Sequence, residues 1–257
     1  MNQSTTNTTT ASAATAAEGA SWSPDASRIR KLTAAERAMY DEQGFVEVPD
    51  VFGCDELTAI KAEIERLRRE KNEGRLDGFG SNTLLKLGLR SPITAAICAD
   101  ERILTLIEDI VQPGIAIYSA KMVEKLPHDE SVCHWHQDNA YYNQLAQSSC
   151  RMSIWLPLQD VNEENGCLWV VPGSHRHEVQ PYGQLGSGHC SLAFADGKAD
   201  VDGAVPYPMK AGGLLLFHAN LFHRSLGNRT NQHRNTFIVS YQEATCPKGN
   251  ADQHKVL

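Results

Sequence analysis

The segment Ser131-Val-Cys-His-Trp-His-Gln-Asp-Asn-Ala140 places two imidazoles and a carboxylate, His134, His136 and Asp138, within five residues. Neutral imidazole nitrogen and carboxylate oxygen together suit a divalent first-row metal such as Fe(II) or Mn(II). Two histidines and one carboxylate on one side of such an ion leave three neighbouring coordination positions open. Spacing alone is a weak signal. A chain with 10 His and 31 acidic residues in 257 contains about one His-x-acid triplet by composition, and this one has both His136-Gln-Asp138 and His128-Asp-Glu130.

Context separates the two triplets. His128 follows Pro127 in the polar run LPHDES and reads as a solvated loop. His136 and Asp138 fit an extended segment, whose two-residue period projects both side chains from one face about 7 Å apart. His134 shares that face if the strand is regular. The third donor must come from elsewhere, and FHANLFHRS supplies His218 and His223. Alternation through Leu214–His218 groups His218 with Leu214 and Leu216, which favours a structural place for it. His223-Arg-Ser225 puts a hydroxyl on the face of His223. Arg234 opens the next apolar run after LGNRTNQH, a stretch that reads as a hairpin connection returning Arg234 alongside His223. A guanidinium there suits two-pronged capture of a carboxylate, with the Ser225 hydroxyl as a further donor. At this level His223 stands open to a packing role as well as to metal ligation. His175 and His177, in GSHRH, fall on a turn.

Several elements would carry these residues. Thr33, Glu36 and Gly44 bracket a short helix with a capping-box start and a glycine stop. Phe45–Val51 alternates as a first strand. Leu57, Ile60, Ile64 and Leu67 form one apolar stripe on a charged helix over Asp55–Glu70, and residues 93–106 carry a weaker helical pattern. From Gly114 onward come short β-like runs: Gly114–Ser119, Arg151–Pro157, Cys167–Val171, Gly213–His218 and Asn235–Tyr241, separated by turn signals at Asn162–Gly166, Pro172–Ser174 and Gly212–Gly213. Helices followed by many short strands predict helices packed around a β-sandwich or jelly roll. Residues 180–208 lack periodicity and read as a lid or a disordered loop.

Composition bounds the partners. The N-terminal residues 1–26, rich in Ser, Thr, Asn and Ala, read as a disordered polar tail with neither a basic start nor an apolar centre, and residues 27–257 as a single domain. A net charge of −7 argues against nucleic acid or an anionic membrane recognised by bulk charge. No apolar run reaches the length of a bilayer span. Seven scattered cysteines without a C-x-x-C predict reduced thiols and a cytoplasmic location. Oligomeric state leaves no trace in the sequence.

Five segments taken in order resemble the phytanoyl-CoA dioxygenase family of Fe(II)- and 2-oxoglutarate-dependent oxygenases, from about Leu32 to Tyr241. They are LTAAERAMYDEQGFVEVPDVF, HQD at 136–138, SIWLPLQD at 153–160, NGCLWVVPGSHR at 165–176, and GGLLLFHANLFHRSLGNRT with Arg234 eleven residues after His223. The resemblance implies a double-stranded β-helix, the jelly-roll core shared with cupins, flanked by helices. It implies that His136, Asp138 and His223 bind iron. It also implies that Arg234 and Ser225 hold the distal carboxylate of 2-oxoglutarate, that Trp155 lines its pocket, and that Lys86 contacts it too. Lys121 stands where some relatives have a Met near the cosubstrate. The implied reaction uses O2 to hydroxylate an unactivated C–H bond of a small molecule, with release of succinate and CO2. Asp138 fills the position that halogenating relatives leave small, so halogenation is not expected.

Three other readings compete. A cupin-type site built on His134-Trp-His136 expects a Glu shortly afterwards, where this chain has Asn139, Ala140, Tyr141 and Tyr142. A zinc hydrolase expects a general-base pattern such as H-E-x-x-H, which the chain lacks. A binding protein without turnover, differently metallated or metal-free, would have no need of His136, Asp138, His223 and Arg234 together.

Overall fold

The computed structural model of the protein describes residues 22–76, 83–141, 150–185, 190–195, 199–246 and 255–257. Most of the expected polar tail, Tyr142 and parts of the 180–208 segment lie outside the described residues. Trp22, within the span read as tail, packs on Phe52 with ring centroids 6.2 Å apart.

Helix α1 (Ala34–Gln43) begins as its signals predict. Thr33 Oγ1 accepts from the Glu36 amide while Glu36 accepts from the Thr33 amide. Gly44 ends the helix at φ +82°, where a Cβ would also stand 2.4 Å from the His175 ring, so only glycine fits. Strand β1 (Phe45–Val48) follows and is shorter than expected, because the chain turns at Asp50 (φ 55°). Helix α2 (Cys54–Asn72) buries Leu57, Ile60, Ile64 and Leu67, the stripe read from its periodicity. Strand β2 (Thr83–Leu85) and the short helix α3 (Leu87–Arg90) come next. The weak helical pattern at 93–106 is two helices, α4 (Pro92–Cys98) and α5 (Glu101–Ile107). They part at Asp100, whose carboxylate caps α5 and grips the buried Arg102 at 2.7 and 2.8 Å.

The remainder is β. Strands β3 (Ile115–Lys125), β4 (Cys133–His136), β5 (Met152–Pro157), β6 (Leu168–Val170), β7 (Tyr182–Gln184), β8 (Leu192–Phe194), β9 (Val205–Tyr207), β10 (Leu214–His218), β11 (His223–Ser225), β12 (Arg234–Glu243) and β13 (Lys255–Val256) follow in sequence. A seven-stranded antiparallel sheet runs β1-β10-β5-β12-β3-β13, with β2 also on β3. A four-stranded sheet, β4-β11-β6-β9, is its partner, and β7-β8 form a separate hairpin. This is the expected mainly-β jelly roll with flanking helices.

The large sheet is apolar on both faces, so its central strands read as continuous hydrophobic runs. Leu214 and Leu216 of β10, Ile154 and Leu156 of β5, and Phe237 and Val239 of β12 pack with the helices. Leu215, Phe217 and Trp155 turn the other way and join Leu168 and Val170 of the small sheet. The site lies in this second layer, between the sheets. β11 and β12 belong to different sheets, so residues 226–233 are a crossover between them. The hairpin read over LGNRTNQH is therefore corrected: Arg234 reaches the His223 side across the sandwich, from the facing sheet.

Candidate metal centre

Strand β4 ends at His136, and Asp138 opens a 3-10 turn (Asp138–Tyr141). The expected single extended segment through both residues is thus corrected, since the change from strand to turn is what brings the two side chains together. His223 enters from the neighbouring strand, directly opposite His136 in the β11–β4 ladder. One donor atom from each of His136, Asp138 and His223 lies within 4.8 Å of the others, and all three residues are buried. Asp138 Oδ1 is 3.9 Å from His136 Nε2 and 3.8 Å from His223 Nε2.

Each group is oriented by a hydrogen bond on its far side. His136 Nδ1 is 2.6 Å from the His134 carbonyl and His223 Nδ1 is 2.9 Å from the Leu221 carbonyl. A carbonyl can only accept, so Nδ1 carries the proton in each ring and Nε2 presents its lone pair inward. Ser153 Oγ donates to Asp138 Oδ2 at 2.8 Å and lies 2.9 Å from Ser240 Oγ, leaving Oδ1 for the centre. Burial, reinforced by His223 and Lys121, pushes the His136 imidazole down to about 3, so it stays neutral. Burial opposes ionisation of Asp138, but His223, Lys121, His136 and the Ser153 hydrogen bond together hold its carboxyl below the usual range. The two inward-facing Nε2 atoms and the Asp138 carboxylate form a donor set that fits a ferrous ion.

The same cavity is lined by Ser225, Trp155 and Arg234. Arg234 is 2% exposed; its Nη1 donates to Thr236 Oγ1 at 2.7 Å, while its buried Nε finds no partner among the described residues. Its guanidinium carbon stands 5.8 Å from the Trp155 ring centre. Burial draws its pKa down to about 10, which leaves it charged at neutral pH. A buried, charged guanidinium with an unused donor fits a carboxylate. Lys125, paired with Arg234 across β3 and β12, donates to the Ser131 carbonyl at 2.7 Å, and burial plus Arg234 push it down to about 7.

Strand β4 carries a bulge. Ser225 pairs with Cys133 and His223 with His136, so His134 and Trp135 together oppose Arg224. Cys133 and His136 consequently share the cavity, and the expectation that His134 shares a face with His136 fails because the strand is not regular. His134 is exposed. Arg224 lies between Trp135 and Trp169, at 4.8 and 5.0 Å from their ring centres.

Two lysines and two cysteines add to the sequence reading or depart from it. Lys86 sits in the left-handed region (φ 58°) at the start of α3 and is not among the residues lining the cavity. Lys121, which stands where some relatives have a Met, does line it. Cys133 and Cys190 are joined as a disulfide, with Cα atoms 4.8 Å apart, against the expectation of seven reduced thiols; the other five cysteines form no disulfide among the described residues. A separation of 57 residues, closed by the packing of β8 on β4, hid this pair from the sequence. His128 is exposed and bonds Asn231 at 2.7 Å, as a surface histidine does, and His218 lies outside the cavity with its Nδ1 accepting from the Asn220 amide.

A two-sheet jelly roll with two imidazoles, a carboxylate and an arginine around one interior cavity defines a metal-dependent oxygenase architecture. The phytanoyl-CoA dioxygenase family model matches residues 40–236, and the chain belongs to that family. It is an iron- and 2-oxoglutarate-dependent oxygenase that uses O2. Ectoine dioxygenase of Bordetella parapertussis is 26% identical over 230 residues, covering 81% of this chain and 75% of the relative. The peroxisomal phytanoyl-CoA dioxygenase of Rattus norvegicus is 23% identical, covering 84% and 70%. Among solved structures, EctD from S. alaskensis with 2-oxoglutarate and 5-hydroxyectoine shares the fold at TM-score 0.70 and 21% identity, covering 90% of this chain and 83% of that one. The carbocyclase SnoK from nogalamycin biosynthesis does so at 0.68 and 23%, covering 86% and 89%.

Proposed function

We propose that this protein hydroxylates an unactivated C–H bond of a small metabolite while 2-oxoglutarate is converted to succinate and CO2. The observation that carries the reading is the meeting of His136, Asp138 and His223 within 4.8 Å in one cavity with Arg234. Iron with 2-oxoglutarate, when bound, supplies the activation of O2 and the oxidation of the substrate carbon. His136, Asp138 and His223 are proposed as the iron ligands, held in place by the His134 and Leu221 carbonyls and by Ser153. Arg234 and Ser225 are proposed to take the distal carboxylate of the cosubstrate, with Trp155 as an apolar wall beside it. The enclosing layer of Trp155, Leu168 and Phe217 keeps water from that carboxylate and strengthens its pairing with Arg234. Lys86 keeps only the support of the family resemblance.

The substrate is proposed to lie in an open cleft of about 530 Å³ lined by His134, Trp135, Gly183, Leu185, Phe194 and Val201. His134 is two residues from His136, and Tyr141 ties the two places together: its ring meets His136 edge-on at 5.5 Å and its hydroxyl accepts from the Leu192 amide at 3.1 Å. Among the described residues, the cleft offers no Lys or Arg for the phosphates of a coenzyme A ester. Curated relatives include dioxygenases named for ectoine, a small molecule. A single domain over 27–257, without nucleic-acid or membrane partners, completes the proposal. Support comes from the −7 charge and from the described helices, none of which is long and apolar enough to cross a membrane. A cytoplasmic location is proposed on the same grounds, the cysteine argument for it having been weakened by the Cys133–Cys190 bond.

Anaerobic titration with Fe(II) and 2-oxoglutarate tests the class: a weak visible charge-transfer band is expected only when both are present. Incubating the loaded enzyme with a metabolite extract is expected to yield a product 16 mass units heavier together with succinate. A protein that holds zinc tightly and gives neither signal would support the rival reading, a differently metallated or non-catalytic jelly roll.

A further inference from the structure

Two walls of the open cleft come from distant parts of the chain. His134 and Trp135 belong to β4, whereas Gly183, Leu185, Ala193 and Phe194 come from β7, the residue after it, and β8. The Cys133–Cys190 bond joins these walls to each other, since Cys133 precedes His134 in β4 and Cys190 stands two residues before β8.

The β7–β8 hairpin has few other restraints. It pairs with neither of the two larger sheets, and none of its described residues enters either hydrophobic cluster. Tyr182, Gly183 and Gln184 are exposed. Its contacts with the body of the protein include Phe194 edge-on to Phe222 at 4.7 Å and the Leu192 amide donating to the Tyr141 hydroxyl at 3.1 Å. The chain leading into it is tied where the Gln180 amide donates to Gln137 Oε1 at 2.8 Å. A two-stranded hairpin is marginal on its own, so a covalent link that closes 57 residues of chain narrows its freedom substantially. Both bonded cysteines are half-buried, within reach of a small thiol. The metal-centre side chains are oriented by the His134 and Leu221 carbonyls and by Ser153, all outside the hairpin. Its release therefore leaves the donor set in place.

We propose that Cys133 and Cys190 form a reversible redox latch on the substrate cleft. With the bond made, the two walls stand at the separation that forms the cleft; with the bond reduced, the hairpin is mobile and substrate binding weakens. The inference rests on the placement of the substrate in that cleft. Opening takes two electrons from a thiol-class reductant. A thiolate attacks one cysteine sulfur, breaks the S–S bond and forms a mixed disulfide, which a second thiol displaces. Each cysteine ends as a thiol with one proton, and the reductant leaves as its own disulfide. A small disulfide oxidant runs the exchange backwards.

Wild-type protein equilibrated in glutathione buffers of graded poise and then alkylated is expected to move reversibly between two folded forms that differ by two thiols. On reduction, amide hydrogen exchange is expected to quicken roughly ten-fold or more over residues 182–185 and 190–195, while β5 and β12 keep their protection. Cys190→Ser is expected to show the fast exchange under oxidising and reducing conditions alike. With a limiting amount of metabolite extract, reduced wild type and Cys190→Ser are both expected to give roughly ten-fold less of the +16 product than the bonded protein, because a wall must be ordered on binding. The visible band with Fe(II) and 2-oxoglutarate should stay unchanged. Equal hairpin exchange in the two redox states, undiminished product after reduction, or reduction achieved only with global unfolding would each overturn the proposal. Gly183→Phe in the bonded protein tells a failed latch from a failed cleft. Product lost in that variant but insensitive to reduction would keep the cleft and remove the latch; product retained in it would remove both. Wild-type protein that shows no band would fault the oxygenase reading, and the latch with it.

Discussion

His136 and His223 face each other directly across the β4–β11 ladder, with ring centroids 4.2 Å apart. Adjacent strands thus supply the two nitrogen donors from a rigid pair of backbones, and only Asp138 depends on a turn. Asp138 is also the member that touches both imidazoles, so its removal separates metal binding from folding. Asp138→Ala is expected to abolish succinate formation coupled to substrate, while far-UV circular dichroism and the unfolding midpoint stay close to wild type. The carboxylate borders a cavity, and Ser153 keeps Ser240 as a partner. Retained coupled turnover would remove Asp138 from the ligand set.

Arg234 is expected to act on cosubstrate more than on metal. Arg234→Leu deletes the guanidinium that leaves Nε unused in the cavity and should raise the 2-oxoglutarate requirement roughly ten- to hundred-fold. Fe(II) affinity measured without cosubstrate should change little. Parallel losses in both titrations would indicate a disturbed fold.

Gly183 offers a clean way to close the proposed substrate cleft. A Cβ added there meets nothing within 4 Å and the backbone is not left-handed, so a larger side chain is tolerated at the cleft wall. Gly183→Phe is expected to suppress formation of the +16 product without altering the visible band with Fe(II) and 2-oxoglutarate. Product formation at the wild-type rate would place the substrate elsewhere.

The Cys133–Cys190 bond predicts a thiol count. Denatured without reductant, the purified protein is expected to show five reactive thiols, and seven after reduction. Seven before reduction would show the pair to be open in solution, as a reducing cytoplasm favours.

Acid sensitivity follows from the first helix. Glu36 is drawn down to about 2, chiefly by its hydrogen bonds with Arg30 at 2.6 and 2.7 Å, against the opposing effect of burial and with further help from Thr33. A carboxyl whose folded pKa is depressed contributes stability above its unfolded value, here 4.5, and loses it as pH falls towards 2. Glu36→Ala is expected to cost about 1 kcal/mol at pH 7, from the lost cap and the exposed pair together. That difference should vanish below about pH 2, as followed by denaturant unfolding across the range.

The sequence was most legible where one local rule decided the outcome. Thr33, Glu36 and Gly44 bounded α1 correctly because capping chemistry is local, and the stripe Leu57, Ile60, Ile64, Leu67 found the buried face of α2 because periodicity is local as well. The donor types at His136, Asp138 and His223 were visible, but their convergence depends on two strands from one sheet and Arg234 from another, which no spacing encodes. His134 was placed on the wrong face because a bulge has no fixed sequence mark. Lys121 drew attention only by resemblance; its cavity-facing position depends on register across three strands.

The extra residue in β4 has one more implication. Because His134 and Trp135 jointly oppose Arg224, shortening this stretch by a single amino acid would rotate Cys133 and everything before it by half a turn relative to His136, or pull His136 out of alignment with His223. The Trp135–Arg224–Trp169 stack clamps the outer side against such a slip. Deletions here should thus be tolerated far less than the irregular loop character of the neighbouring sequence suggests, and length conservation at this point becomes a signature of ligation that substitution patterns alone would miss.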